Sequence, residues 1–306
     1  MERRKFIRNI SLGTAVGLTG ASVVPAAQAA SAPMADKTFN LNYAPHFGMF
    51  KNSAGDDLID QLNFMYERGF RSLEDNGMMG RPVEMQEKIA SQMAKLGMDM
   101  GVFVLDKGGN GANTFASGSQ EHTDIFLDGC RRAVEVAKRV NAKWITVVPG
   151  DFDRRLPMDV QTANVIETLR KGAEILEPHG LVMVLEPLSD TPNLFLRTST
   201  QTYMICKGVN SPSCKILYDV YHMQKNEGNL ITMMNHCWDE IAYIQIGDNP
   251  GRKEPGTGEI NYLNVFKYLY EKGYRGISGM EHGNALPGKD GEESLIAAYR
   301  KADSFM

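Results

Sequence analysis

The sequence predicts one α/β domain, a parallel (β/α)8 TIM barrel, over residues 36–306. Three observations carry that expectation. Short apolar runs alternate with longer amphipathic segments along the whole chain, in eight successive pairs. The apolar runs are continuous and rich in β-branched residues, as strands covered on both faces of a parallel sheet must be. The roughly 275 residues that follow the N-terminal segment are close to the roughly 250 typical of such a barrel. A doubly wound open sheet is the alternative, but it usually lacks this count.

The pairs run as follows. A strand over 39–43 precedes a helical pattern over 56–68, which stops at Gly69 because glycine readily adopts the left-handed turn that ends a helix. A strand over 70–73 leads to a helix over 83–96, stopped by Gly97. The run 98–105 is the third strand, and 121–140 a long helix rich in good formers. The fourth strand, 144–148, ends in Pro149-Gly150 and precedes a helix over 160–176. Pro178-His179-Gly180 turns the chain into the strand 181–185, followed by a helix over 198–207. The last three pairs are 215–218 with 230–237, 242–246 with 262–272, and 276–280 with 292–302. No linker-like stretch, repeat or low-complexity tract divides them, so a single domain is expected.

Residues 1–30 read as a cleaved export signal rather than as part of the fold. Arg3-Arg4-Lys5 is a basic opening, residues 10–24 form a weakly hydrophobic run diluted by Gly13, Gly17 and Gly20, and Ala27-Gln28-Ala29 offers the small residues of a cleavage site. The paired arginines point to the twin-arginine route and so to the periplasm. The run is shorter than the roughly 20 apolar residues of a membrane span, so no stable membrane anchor is expected. The formal net charge of −4 argues against a nucleic-acid surface, which needs a basic stripe. Cys130, Cys206, Cys214 and Cys237 show no metal-binding spacing. Cys206 and Cys214 could pair in an oxidising compartment, and reduced buried thiols are an equal alternative. The 18 methionines read as core fillers.

The chemistry is expected where strands end. Residues 181–185 hand over to Glu186, 216–218 to Asp219, 242–244 to Gln245 and 277–280 to Glu281. Strand ends of one barrel converge on the face that carries active sites in this fold. Any one of these residues alone would read as a helix cap or a solvated carboxylate. Together they form a hard, oxygen-rich set that suits one divalent ion, Mg²⁺ or Mn²⁺, with Co²⁺ or Zn²⁺ tolerated.

From about Leu181 to His282 the chain resembles the hydroxypyruvate isomerase family within the xylose-isomerase-like barrels. The resemblance lies in LVMVLEPL (181–188), LYDVYHMQKNEGNL (217–230), IQIGDNPGRKEPGTGEINY (244–262) and GMEHG (279–283). It implies Glu186 and Glu281 as the acid and base, and Glu186, Asp219, Gln245 and Glu281 as the metal ligands. It assigns His222 to substrate oxygens or metal-bound water; a packed histidine at the barrel rim is the alternative. Arg252 is a candidate for a substrate carboxylate, or a loop arginine stabilising Glu254 or Asp248. Glu254 joins it as a substrate-binding candidate. The implied reaction moves a carbonyl by enediolate proton transfer, turning hydroxypyruvate into tartronate semialdehyde. An exported keto-sugar epimerase, or a keto-glycoside lyase or hydrolase with the same metal and glutamates, is the alternative. Self-association is left open by analogy with barrels of this kind.

The first half departs from the family. His46, Glu74, Lys107 and Asp151 stand at its strand ends and are pocket candidates by position alone. For each, a rim salt bridge or loop cap is the simpler expectation. The multi-zinc nuclease branch of the superfamily is histidine-rich and basic; six histidines and an acidic balance count against it. A non-catalytic binding protein would be expected to have lost a ligand or a glutamate, and all four are present.

Overall fold

The computed structural model describes residues 37–306, so the predicted export signal lies outside the described residues. Nine short parallel strands alternate with ten helices in that span. The strands are β1 (Asn42–Ala44), β2 (Ser72–Leu73), β3 (Asp99–Met100), β4 (Phe103–Val104), β5 (Trp144–Val147), β6 (Val182–Leu185), β7 (Cys214–Asp219), β8 (Ile241–Gln245) and β9 (Ile277–Gly279). Seven of them form one sheet in the order β1-β9-β8-β7-β6-β5-β4, and β2 pairs with β3. The two sheets meet at both edges. Glu74 N–H donates to Pro45 O (3.0 Å) beside a parallel bridge between His46 and Glu74. At the other edge Gly101 N–H donates to Leu73 O (2.7 Å) and Val104 N–H to Asn76 O (3.3 Å). The fold is the expected α/β TIM barrel.

The third strand differs from the expectation of one continuous run over 98–105. It is broken into β3 and β4 at Gly101 and Val102. The hydroxyl of Tyr243 crosses the barrel to this point, accepting from Val102 N–H at 3.4 Å, and a Cβ on Gly101 would overlap it. Glycine is what lets the strand pass that close.

The helices are α1 (Lys51–Ala54), α2 (Leu58–Glu67), α3 (Val83–Leu96), α4 (Gln120–Val140), α5 (Met158–Leu176), α6 (Ser199–Val209), α7 (Val220–Asn226), α8 (Leu230–Cys237), α9 (Tyr262–Glu271) and α10 (Gly288–Ala302). Several starts are capped as their sequences dictate: Asp57, Ser119, Thr198 and Asn261 each accept a first-turn N–H. The apolar stripes of the helices pack on the outer faces of the strands in one large core. Inside the barrel a smaller cluster of Ala44, Val102, Val184, Leu217, Tyr243 and Ile277 fills the centre. Two helices, α1 and α7, have no counterpart among the predicted elements. The second matters, because it starts directly after β7 and fixes His222 in its first turn.

All four cysteines are free and buried. Cys206 and Cys214 share a thiol hydrogen bond, which with burial raises the Cys206 thiol well above its ordinary value. The reduced alternative is therefore the one present. Among the described residues no helix is long and apolar enough to cross a membrane.

Candidate active site

Four of the predicted residues stand at consecutive strand ends. Asp219 closes β7 and Gln245 closes β8, while Glu186 and Glu281 follow β6 and β9 by one and two residues. Asp219 is also the cap of α7: its Oδ1 accepts His222 N–H at 3.0 Å. A short strand-to-helix turn thus aims one residue's carboxylate and its neighbour's imidazole at the same space. Glu186, Asp219 and His222 offer potential metal-ligand atoms that all lie within 4.8 Å of one another.

The hydrogen bonds around His222 fix what its ring can do. Nδ1 receives the Ser189 backbone N–H (3.1 Å) and lies 2.7 Å from Ser189 Oγ. A ring nitrogen that accepts a backbone N–H is unprotonated, so in the neutral ring Nε2 carries the hydrogen. Nε2 points between Asp219 Oδ2 (3.7 Å) and Glu186 Oε1 (3.9 Å) without bonding to either. Burial lowers the proton affinity of this histidine, which keeps the ring neutral. In this tautomer it is a donor, suited to an oxygen of a bound molecule more than to a metal.

Arg252 connects the acids. Its Nη2 lies 2.8 Å from Glu281 Oε2 and 3.3 Å from Asp219 Oδ2, and its Nε donates to Glu281 O at 3.1 Å. The backbone of Arg252 is left-handed, with φ of 51°, in the loop after β8. Asn76, from the end of the second strand, donates Nδ2 to Glu281 Oε1 at 2.9 Å. Glu281 is therefore anchored on both oxygens, whereas the buried Oε1 of Glu186 has no hydrogen-bond partner. Gln245 is buried with its Nε2 donating to Glu74 and its Oε1 unpartnered.

The two glutamates hold protons more tightly than usual. Burial, then the charges of Glu281 and Asp219, raise Glu186 well above the ordinary carboxylate range. Burial raises Glu281 to about 8 against the opposing pull of Arg252, and Asp219 and Glu74 add to the rise. An acid raised toward neutrality, as Glu281 is, can both take and give a proton.

The remaining candidates fall elsewhere. Glu254 is buried and its Oε2 accepts Ala285 N–H at 2.8 Å, tying the loop after β8 to the loop after β9. Lys107 Nζ is enclosed by loop carbonyls, including Gly109 O at 3.0 Å, and works as a loop staple. Asp151 forms an antiparallel bridge with Leu194. His46 and Glu74, each expected in a rim salt bridge or loop cap, face one another: Glu74 is fully buried, 2.9 Å from His46 Nε2. Sequence reasoning did not single out Ser189 or Asn76. Ser189 carries no pattern that marks it, and Asn76 was visible only as a polar residue at a strand end.

Residues 62–302 match the family model described as the xylose isomerase-like TIM barrel. The chain belongs to that family. Within it, hydroxypyruvate isomerase from Escherichia coli (strain K12) is 35% identical over 159 residues, covering 51% of this chain and 62% of that protein. A 2-oxo-tetronate isomerase from Pectobacterium atrosepticum is 30% identical over 161 residues, covering 52% of this chain and 62% of that protein. The chain thus spans less than two thirds of the length of these curated relatives. The crystal structure of an E. coli 3-keto-D-glucoside 4-epimerase superposes with a TM-score of 0.71 at 21% identity, over 85% of this chain and 99% of that one. The xylose isomerase-like barrel accounts for the convergence of the four strand-end residues, since they come from the C-terminal rim of adjacent strands.

Proposed function

We propose that this protein is an exported, divalent-metal-dependent isomerase that moves a carbonyl by one carbon in a small hydroxy-carbonyl compound such as hydroxypyruvate. The carrying observation is the pair of acids with raised proton affinity, Glu186 and Glu281, beside Asp219 and the unprotonated-acceptor face of Gln245. The relatives' names, both of carbonyl isomerases, point the same way. The opening export signal is the ground for placing the protein in the periplasm.

The donor set fits a divalent cation. Buried, unpartnered oxygens of Glu186 and Gln245 next to Asp219 are costly without a positive partner. Glu186, Asp219, Gln245 and Glu281 would hold the ion, with Mg²⁺ or Mn²⁺ suiting oxygen donors best. Bound there, it supplies Lewis-acid neutralisation of the oxygens flanking the reacting carbon.

The chain's own residues do the rest. Glu186 takes the proton from the carbon beside the carbonyl, its carboxylate having a second oxygen besides the Oε1 that faces the ion's place. Returning that proton to the former carbonyl carbon completes the isomerisation, with a hydroxyl proton moving between the two oxygens. His222 Nε2–H donates to a substrate oxygen and steadies its developing charge. Delivery of a proton by Glu281 to the opposite face of the carbon that lost one would instead give an epimer, where that carbon is a stereocentre. The test is solvent deuterium incorporation into hydroxypyruvate, followed by NMR with Mn²⁺ present. Exchange that is lost in Glu186→Gln and Glu281→Gln supports the reading; absence of exchange and of metal binding in the unsubstituted protein overturns it.

A larger keto-sugar is the second reading, and one cavity favours it. A space of about 280 Å³ lies between the second and third strand-end loops, lined by Asn76, Met79, Leu105 and Lys107 among others. Asn76 joins it to Glu281. A three-carbon acid leaves such a space to water, whereas a sugar chain extends into it. Running keto-sugars in the same exchange assay separates the two readings.

A further inference from the structure

We infer that Glu74 is a positioning residue that sets the amide of Gln245 so that its oxygen, not its nitrogen, faces the metal. The inference rests on the metal reading given above and extends it to a residue from the opposite half of the barrel. Glu74 is fully buried, and two donors and the ring of His46 converge on it. Gln245 Nε2 donates to Oε1 at 2.8 Å, Tyr243 Oη donates to Oε2 at 2.7 Å, and His46 Nε2 lies 2.9 Å from Oε1. The direction of the tyrosine bond follows from its second contact. Tyr243 Oη already accepts Val102 N–H, which leaves its own hydrogen for the carboxylate.

An amide has two faces of similar shape, and only one can ligate a cation. Turning Gln245 over would press its Oε1 against Glu74 Oε1, two acceptors with no hydrogen between them. The carboxylate therefore holds Nε2 and leaves Oε1 buried and unpartnered, on the strand end that pairs with Asp219. Two glycines clear the space for this network. A Cβ on Gly279, which pairs with Gln245 across β8 and β9, would overlap Glu74 Oε2. A Cβ on Gly101 would overlap Tyr243 Oη. Outer partners that orient a ligand are commonly as consequential as the ligand itself.

The test is a double-mutant cycle on Mn²⁺ affinity, measured by titration calorimetry on the purified protein. Glu74→Gln should weaken binding about ten- to hundredfold when Gln245 is present. In a Gln245→Ala background the same change should cost less than about threefold, because there is no amide left to orient. With Co²⁺ bound, the visible spectrum of Glu74→Gln should shift toward that of Gln245→Ala. If Glu74→Gln does not fold, Tyr243→Phe carries the same comparison through the other carboxylate oxygen, with a smaller but still Gln245-dependent loss. Equal losses in both backgrounds would mean that Glu74 acts only as a nearby negative charge, and would overturn this inference alone. An unsubstituted protein that binds no Mn²⁺ would overturn the metal reading together with it.

Discussion

The two halves of the barrel rim serve the candidate site in different ways. The second half, from β6 to β9, contributes the side chains proposed to act on the substrate and the ion: Glu186, Asp219, His222, Gln245 and Glu281. The first half contributes side chains that act on those residues. Asn76 holds Glu281, and Glu74 holds Gln245, across separations of 205 and 171 residues in the chain. On the proposed reading, the difference teaches that one half of the barrel keeps the chemistry while the other orients it and bounds the space beside it. Breaking a second-half residue should remove a reaction step. Breaking a first-half residue should shift affinities and proton equilibria and leave the step in place.

The largest effect that would sharpen this contrast is loss of proton transfer. Glu186→Gln should lower deuterium exchange by about 10²- to 10⁴-fold, the contribution expected of a positioned general acid–base group. Asn76 and Glu74 variants should retain measurable exchange at saturating metal. If a Glu74 variant proves as inactive as Glu186→Gln with metal fully bound, the division between the halves fails.

Next comes pH, where the sign can be worked out. Glu281 titrates near 8 in the metal-free protein instead of its ordinary 4.5, because of burial, and Glu186 is displaced in the same direction. The folded, metal-free chain therefore keeps protons that the unfolded chain has lost in this window. Its stability should fall as pH rises from about 4.5 toward 8. Metal competes with those protons, so its affinity should fall as pH is lowered through the same window, by up to about tenfold per pH unit for each proton displaced. Thermal melts with chelator and with Mn²⁺, compared at pH 5 and pH 8, check both signs. A metal-free protein that grows more stable across this range would contradict the assignment of raised proton affinity to the two glutamates.

How much of this could be read from the sequence follows the same division. The barrel was legible because each strand–helix pair announces itself locally, by an apolar run and a glycine or capping residue. The four strand-end residues were legible because adjacent parallel strands must end on one face. Glu74 was visible only as a strand-end acid, and its partners Tyr243 and His46 belong to other strands. Their meeting depends on how far each strand slides along the barrel, which Gly101 and Gly279 permit by lacking a side chain. The break of the third strand was hidden for the same reason: its cause, the Tyr243 hydroxyl, lies 141 positions away. The helix α7 was missed because its first residue is also the residue after a strand, so the apolar pattern runs through the boundary without interruption.

Gly279→Ala tests the space that the two halves share. The added methyl overlaps the buried carboxylate of Glu74, which Gln245 and Tyr243 hold in place. Overpacking of this kind costs about 1–3 kcal/mol, so the melting temperature should drop by a few degrees, and Mn²⁺ affinity should drop with it. Gly97, the residue that ends α3, has nothing within 4 Å of an added Cβ and offers the contrast. Its left-handed φ of 65° makes Gly97→Ala costly in stability through the backbone alone, with no change expected in metal affinity. If both glycine variants lose metal equally, the effect is general loosening and not the Glu74–Gln245 contact.

The smallest effect belongs to Asn76→Ala. It removes one hydrogen bond to a carboxylate, worth about 1.5–3 kcal/mol where the acceptor is charged and less where it is protonated. Since Glu281 carries its proton through much of the neutral range, the cost should sit near or below the lower figure at pH 6 and grow as pH rises past about 8. The same deletion withdraws a donor that favours the charged form, so Glu281 should titrate still higher. Two consequences separate this from a packing defect. The alkaline limb of the exchange profile should move up in pH, and Asn76→Asp should not restore it, because a second acid opposes ionisation of the first. Asn76 also lines the cavity beside the site, so a keto-sugar that enters it should lose binding in Asn76→Ala while hydroxypyruvate does not. A variant that changes neither the titration nor the discrimination would reduce Asn76 to a bystander, and with it the claim that the first half tunes what the second half does.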